Sequence, residues 1–289
     1  MFYIKRKNVD GMLRIECSNE TGDTRMEIIP ERGAIISDFV VKGEKVFYLN
    51  NETLIDKRKN VRGGNPILFP ICGPLDEGRY EINGNAYFMK QHGFARNQEW
   101  MVIREEASDE RAKVTLQLKD NKETYAQYPF HFQLQLTYTL DEGGLDIKVT
   151  VKNEDEKPMP FSFGFHPYFY VADKNRVSIE IPSTDYENVI PESFVNEKWN
   201  FEQDEINVKF QRLMADECRL VDLNRSLSVR LKWDDPFRYI VVWTLKDQSF
   251  ICVEPWTAFV NALNSNQDLS ILKSGEEREL SFSIQVEKE

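Results

Sequence analysis

Phe132-Gln133-Leu134-Gln135-Leu136-Thr137-Tyr138, then Asp141-Glu142-Gly143-Gly144, then Leu145-Asp146-Ile147-Lys148-Val149-Thr150-Val151, is the stretch that decides how this chain folds. In both flanking runs apolar and polar side chains alternate strictly, which turns one face of a strand to a core and the other to water. The acidic, glycine-ending tetrapeptide between them reads as a hairpin turn. Similar alternation recurs in Lys113-Val114-Thr115-Leu116-Gln117-Leu118-Lys119, in Leu227-Ser228-Val229-Arg230-Leu231-Lys232-Trp233, and in Leu280-Ser281-Phe282-Ser283-Ile284-Gln285-Val286. Half-buried strands repeated in this way are the mark of antiparallel sheet.

Working outward, Glu81-Ile82-Asn83-Gly84-Asn85 carries an Asn-Gly turn between short strands. Helical periodicity is scarce, and a short helix is expected only around Asn121 to Tyr128. The expected fold class is therefore all-β, a sandwich or barrel rather than alternating β/α units. No fixed-period repeat, low-complexity segment or Pro/Gly/Ser linker divides the 289 residues. A single domain over 1–289 is expected, since all-β folds of this length occur undivided.

A formal net charge of -11 repels nucleic acid and anionic lipid. The one basic cluster, Lys57-Arg58-Lys59 followed by Arg62, is short and reads as a solvated turn. Neither a nucleic acid nor a membrane partner is expected. Cys17, Cys72, Cys218 and Cys252 have no C-x-x-C spacing and read as reduced thiols of a cytoplasmic protein. No apolar run approaches the ~20 residues of a membrane helix.

Four segments depart from plain strand chemistry, and such departures are where function is expected. In Val61 to Pro74, prolines 66, 70 and 74 mixed with Gly63, Gly64 and Gly73 forbid a regular ladder and fix an extended loop. This glycine pair lacks the Lys-Ser/Thr ending of a phosphate loop. Lys90-Gln91-His92-Gly93-Phe94-Ala95-Arg96-Asn97 crowds a His, an amide and an Arg together. Phe161-Ser162-Phe163-Gly164-Phe165-His166-Pro167-Tyr168-Phe169 sets a His among aromatics, with a Pro that holds His166 extended. In Phe250-Ile251-Cys252-Val253-Glu254-Pro255-Trp256 an apolar run precedes a carboxylate, so Glu254 is expected buried, where its pKa rises toward that of a base near neutrality. His131, with no carboxylate or glycine context in the sequence, reads as structural or surface.

Together, Arg62-Gly63-Gly64-Asn65-Pro66 with Phe69-Pro70, Gln91-His92-Gly93-Phe94-Ala95-Arg96, Gly164-Phe165-His166-Pro167-Tyr168-Phe169 and Val253-Glu254-Pro255-Trp256 resemble the aldose 1-epimerase family. The likeness is greatest to its LacX-like and hexose-6-phosphate 1-epimerase branch, in family order and over most of the chain. The resemblance implies a galactose mutarotase-like β-supersandwich of largely antiparallel sheets with a cleft across one sheet. It implies Glu254 as general base, His166 as general acid and His92 as a partner to sugar oxygens. It implies Arg62, Gln91 and Arg96 as pocket residues, with Trp256 and the Phe161–Phe169 block offering apolar faces to the sugar. A sugar-contacting Asp of the family has no clean match; Asp222 and Asp185 are candidates.

Exchange of anomers opens a hemiacetal ring by moving one proton off the anomeric hydroxyl and one onto the ring oxygen. No electron or group is transferred, so no metal or organic cofactor is expected, and the ligand is a small sugar or sugar phosphate. Arg62, Arg96 and nearby Lys90 suit a phosphate. The same residues also suit a non-catalytic carbohydrate-binding sandwich. Two His and one Glu suit a metal-dependent hydrolase, although no H-x-H or H-E-x-x-H spacing is present. A glycosidase would need a second catalytic carboxylate.

Overall fold

The structure, a computed structural model, describes residues 1–288. All five alternating runs fall in one eight-stranded sheet, whose order is Val177–Glu180, Glu217–Asp222, Leu227–Trp233, Glu277–Lys288, Gly144–Asn153, Phe132–Asp141, Ala112–Lys119 and Met101–Ala107. Every pairing in it is antiparallel, and the central hairpin sets Leu134, Leu136 and Tyr138 opposite Val151, Val149 and Ile147. These six side chains are buried, so register and core burial support each other. The turn forms as expected: Asp141 Oδ1 accepts from the backbone N–H of Gly143 at 2.7 Å and of Gly144 at 3.0 Å. Gly144 is required there, because at φ +151° a Cβ would lie 2.1 Å from the Ile284 carbonyl oxygen.

A second, seven-stranded sheet runs Asp185–Asn188, Glu205–Gln211, Tyr239–Leu245, Phe250–Trp256, Gly164–Phe165 and Ile67–Leu68, with Tyr168–Tyr170 also paired to Phe250–Trp256. Its centre does not alternate in burial: all seven residues of Phe250–Trp256 are buried. Ile251 and Val253 belong to the large core cluster, while Cys252 and Trp256 belong to smaller clusters apart from it. A strand covered on both faces has no solvent side, so its sequence reads as a continuous apolar run. An N-terminal five-stranded sheet, Phe2–Val9 to Glu44–Lys45, completes the sandwich. The large core cluster draws side chains from Phe2 to Val286.

The expected short helix is Lys122–Gln127, capped by Asn121, whose Oδ1 accepts from the N–H groups of Glu123 and Thr124 at 2.9 and 3.0 Å. The Asn-Gly hairpin joins Arg79–Ile82 to Asn85–Phe88. The proline-rich loop contributes only Ile67–Leu68 and isolated bridges to any ladder. Lys57, Arg58 and Lys59 are exposed, and all four cysteines are free and buried. No helix among the described residues is long and apolar enough to cross a membrane.

One expectation is corrected. Phe161, Phe163 and Phe165 are fully buried in the main core, with Phe165 stacked on Phe282 at 4.8 Å between centroids. They cement the two sheets together and offer no face to a ligand.

Candidate active site

The site begins with two clamped loops. Gly73 and His92 bond reciprocally: the His92 backbone N–H donates to the Gly73 carbonyl at 2.9 Å, and the Gly73 N–H donates to His92 Nδ1 at 3.0 Å. To reach this position His92 adopts φ +68°, followed by Gly93 at φ +69°. A Cβ on Gly93 would lie 2.1 Å from the Phe69 carbonyl oxygen, so only glycine permits the close approach of the two loops. The Arg96 guanidinium folds back to donate to the Gln91 carbonyl at 2.8 Å.

The strand Phe250–Trp256 places Cys252, Glu254 and Trp256 at alternate positions, hence on one face. Its neighbour pairs Tyr168 with Cys252, and His166 comes two residues before Tyr168. The His166 backbone N–H donates to the Pro66 carbonyl at 3.1 Å and to Asn65 Oδ1 at 3.2 Å, tying it to the proline-rich loop. Its ring stacks on Tyr168, 4.8 Å away and 10° from parallel. From this seat His166 Nε2 lies 3.3 Å from Glu254 Oε1. The Trp256 indole N–H donates to the other oxygen, Glu254 Oε2, at 3.2 Å.

Both partners are almost wholly removed from water, Glu254 at 1% exposure and His166 at 6%. Burial drives the Glu254 carboxyl well above the usual carboxylate range, against the opposing pulls of the Trp256 N–H and Arg96. Burial, with Arg96 beside it, lowers His166 to about 3. His92 is held well below the ordinary imidazole range by burial and by nearby His166, Arg96 and Arg62. Desolvation disfavours net charge on the His166–Glu254 pair, and its neutral state holds one proton between Nε2 and Oε1.

These side chains line a cavity of about 370 Å³, together with Arg62, Gln91, Arg96 and Trp256. All seven residues singled out in the sequence are thus brought together. Asp222 and Asp185 are not among them. Asp222 is buried in the eight-stranded sheet and paired with Arg225 at 2.7 Å, and Asp185 is bonded to Gln211 and Arg212. Lys90 is exposed and outside the lining. His131 is exposed, as read, but the fold brings Asp120 Oδ2 to 2.8 Å from its Nδ1.

Sequence reading missed the far wall. Glu205, Asn207 and Lys209 line it from one strand, with Trp243 from the next. The Trp243 indole N–H donates to Glu205 Oε1 at 2.7 Å, and the Arg62 guanidinium lies over the Trp243 ring at 5.2 Å. In sequence, the polar face of Glu205-Ile206-Asn207-Val208-Lys209 is indistinguishable from that of a solvated strand. The metal-ligand count also changes: Cys252 joins His166 and Glu254 with all donor atoms within 4.8 Å of one another, and His92 is not in the group.

Comparison with known proteins fits this geometry. The family described as Aldose 1-epimerase matches residues 17–285. The chromosomal LacX protein of Lactococcus lactis subsp. lactis is 30% identical over 236 residues, 72% of this chain and 78% of that protein. The crystal structure of the Slr1438 protein from Synechocystis sp. PCC 6803 superposes with a TM-score of 0.89 at 31% identity, over 99% of this chain and 96% of that one. A galactose mutarotase-like protein from Clostridium acetobutylicum shares the fold at a TM-score of 0.85 and 19% identity, covering 100% and 99% of the two chains. With a galactose mutarotase-like sandwich, a buried His–Glu pair in its cleft and a family match over nearly its whole length, this chain belongs to the aldose 1-epimerase family and is an isomerase of the sugar-epimerase class.

Proposed function

We propose that the protein interconverts the α and β anomers of an aldohexose or hexose phosphate by general acid/base ring opening, working as a single domain. The observation that carries this reading is the 3.3 Å approach of His166 Nε2 to Glu254 Oε1 inside a cavity of sugar size. Glu254 as carboxylate takes the proton of the anomeric hydroxyl, and His166 delivers one to the ring oxygen. The C1–O5 bond breaks to give the open-chain aldehyde. Rotation about C1–C2 and reclosure, with the two residues exchanging roles, yields the other anomer. The pair holds one proton before and after, so no net charge change is imposed on a dry site. His92 donates a hydrogen bond to a sugar oxygen, and Trp243 and Trp256 supply apolar faces to the C–H surface.

A phosphorylated substrate is favoured by Arg62 and Arg96. Neither forms an ion pair with a carboxylate among the described residues: Arg62 rests on Trp243 and Arg96 on a carbonyl oxygen. Two guanidinium groups beside a cavity, neither paired with a carboxylate, suit an anionic substituent, whereas the net charge of -11 weighs the other way. Polarimetry on freshly dissolved α-glucose and exchange NMR on glucose and glucose 6-phosphate test both points. Acceleration of neither by the wild-type protein, with tight sugar binding, would establish a binding module instead.

A further inference from the structure

We propose that His166, Cys252 and Glu254 form an inhibitory site for a thiophilic divalent cation such as Zn²⁺ or Cd²⁺, so that metal binding and anomer exchange exclude each other. This rests on the reading of His166 and Glu254 as the proton-transfer pair.

The three donors converge because of strand geometry. Cys252 and Glu254 are two residues apart on one strand and share one face of it, Glu254 lining the cavity and Cys252 buried beneath it. The cross-strand partner of Cys252 is Tyr168, on whose ring His166 stacks. No two donor atoms are more than 4.8 Å apart. That spacing is closed to Zn–N and Zn–O distances of ~2.0–2.2 Å and Zn–S of ~2.3 Å by modest side-chain adjustment. The set is one thiolate, one imidazole and one carboxylate, leaving a fourth position directed at the cavity for water. Thiolate and imidazole select zinc and its heavier congener over magnesium or calcium, which prefer all-oxygen shells.

Charge balance also favours the site. Arg62 and Arg96 stand near His166 and oppose any added positive charge. A dication held by a thiolate and a carboxylate adds none, since the two anions neutralise it. Binding releases the thiol proton and whatever proton the His–Glu pair holds, so affinity rises with pH. Cys252 itself touches no part of the proposed reaction. The cation inhibits because it takes the lone pair of His166 and the oxygen of Glu254 that the sugar needs.

Titration of the metal-free protein with Zn²⁺ by calorimetry, and with Cd²⁺ by its ultraviolet thiolate charge-transfer band, tests the site without reference to activity. One ion per chain is expected, with tighter binding at higher pH and no response to Mg²⁺. Cys252→Ala should abolish the band and weaken Zn²⁺ at least tenfold; Cys252→Ser serves if the alanine variant folds poorly. Cys17, Cys72 and Cys218 remain in both as internal controls. A band or stoichiometric binding that persists in these variants overturns the proposal, as does absence of binding in wild type. In parallel, Zn²⁺ should inhibit wild-type anomer exchange reversibly on chelation and spare Cys252→Ala. Metal binding without anomer exchange in any form would retain the site and reject the catalytic reading. Exchange indifferent to bound metal would reject the inhibitory role alone.

Discussion

Gly73 and His92 hold each other twice, through the His92 N–H to the Gly73 carbonyl and the Gly73 N–H to His92 Nδ1. The second bond makes Nδ1 an acceptor, so the ring proton of neutral His92 sits on Nε2, which lies 3.2 Å from Gln91 Nε2 and is satisfied there only when that amide turns its oxygen inward. Protonation would turn an Nδ1–H against the Gly73 N–H, and burial already holds this imidazole well below its usual pKa. His92 is thereby a fixed neutral donor, in contrast to His166, whose Nε2 faces a carboxylate.

The two histidines should therefore fail differently. His92→Ala is expected to raise KM about tenfold with a smaller fall in kcat, the effect of losing one hydrogen bond of ~1.5 kcal/mol to a polar ligand. His166→Ala is expected to lower kcat by ~10²–10⁴. Steady-state polarimetry separates the two, and equal loss of kcat in both would reject the division of roles.

Glu254→Gln should lower kcat at least as far as His166→Ala while leaving the circular dichroism spectrum unchanged. In wild type the active pair holds one proton, so kcat should fall as pH rises through the pKa at which that proton leaves, and because burial has raised the Glu254 value this alkaline limb should lie well above the ordinary 4.5. An alkaline limb at or below 4.5 would show Glu254 solvated in the working enzyme.

Stability should carry the same signature. A raised pKa means that the folded state holds the Glu254 proton more tightly than the unfolded chain does. That contribution is complete below the unfolded value of 4.5 and is lost as pH rises through the folded one. Above it, wild type retains a buried charge that Glu254→Gln lacks, so the variant should melt higher at pH 8 and the gap should close toward pH 4.5. Thermal scans at the two pH values decide this.

His166 acts in the opposite sense. Its folded pKa is lowered from 6.5 to about 3, so its contribution is present above 6.5 and is lost as pH falls through that window. Stability should decline with a slope approaching ~1.4 kcal/mol per pH unit from this residue. Urea unfolding between pH 7 and pH 4 should show a shallower decline in His166→Gln.

Gly93→Ala should cost ~1–3 kcal/mol and most of the activity, because both its positive φ and the Phe69 carbonyl oppose a Cβ beside His92. Gly22, at φ +75° with nothing within 4 Å, isolates the backbone part. Gly22→Ala should cost about 1 kcal/mol and leave kcat alone. Equal losses of activity would show the loop contact to be dispensable.

The eight-stranded sheet was legible because Phe132–Asp141 and its partners alternate, and alternation is a local record of one wet and one dry face. The expected site residues were legible because a His crowded with an amide and an Arg, a His before Pro167 and a carboxylate ending an apolar run depart from ordinary strand chemistry. Phe161, Phe163 and Phe165 misled because an aromatic suits a core and a sugar face equally.

What the sequence determined by itself was the antiparallel sandwich, and it singled out His92, His166 and Glu254 as candidates for the chemistry. Only the tertiary structure decided that His166 rather than His92 meets Glu254, that Cys252 lies within ligand reach, and that Asn207 and Lys209 face a cavity instead of bulk water. The physical reason is that side-chain alternation reports which face a residue is on, whereas what stands opposite that face depends on strands far away in the chain. Lys209, Val241 and Glu254 come into one row through two successive pairings that no local pattern encodes.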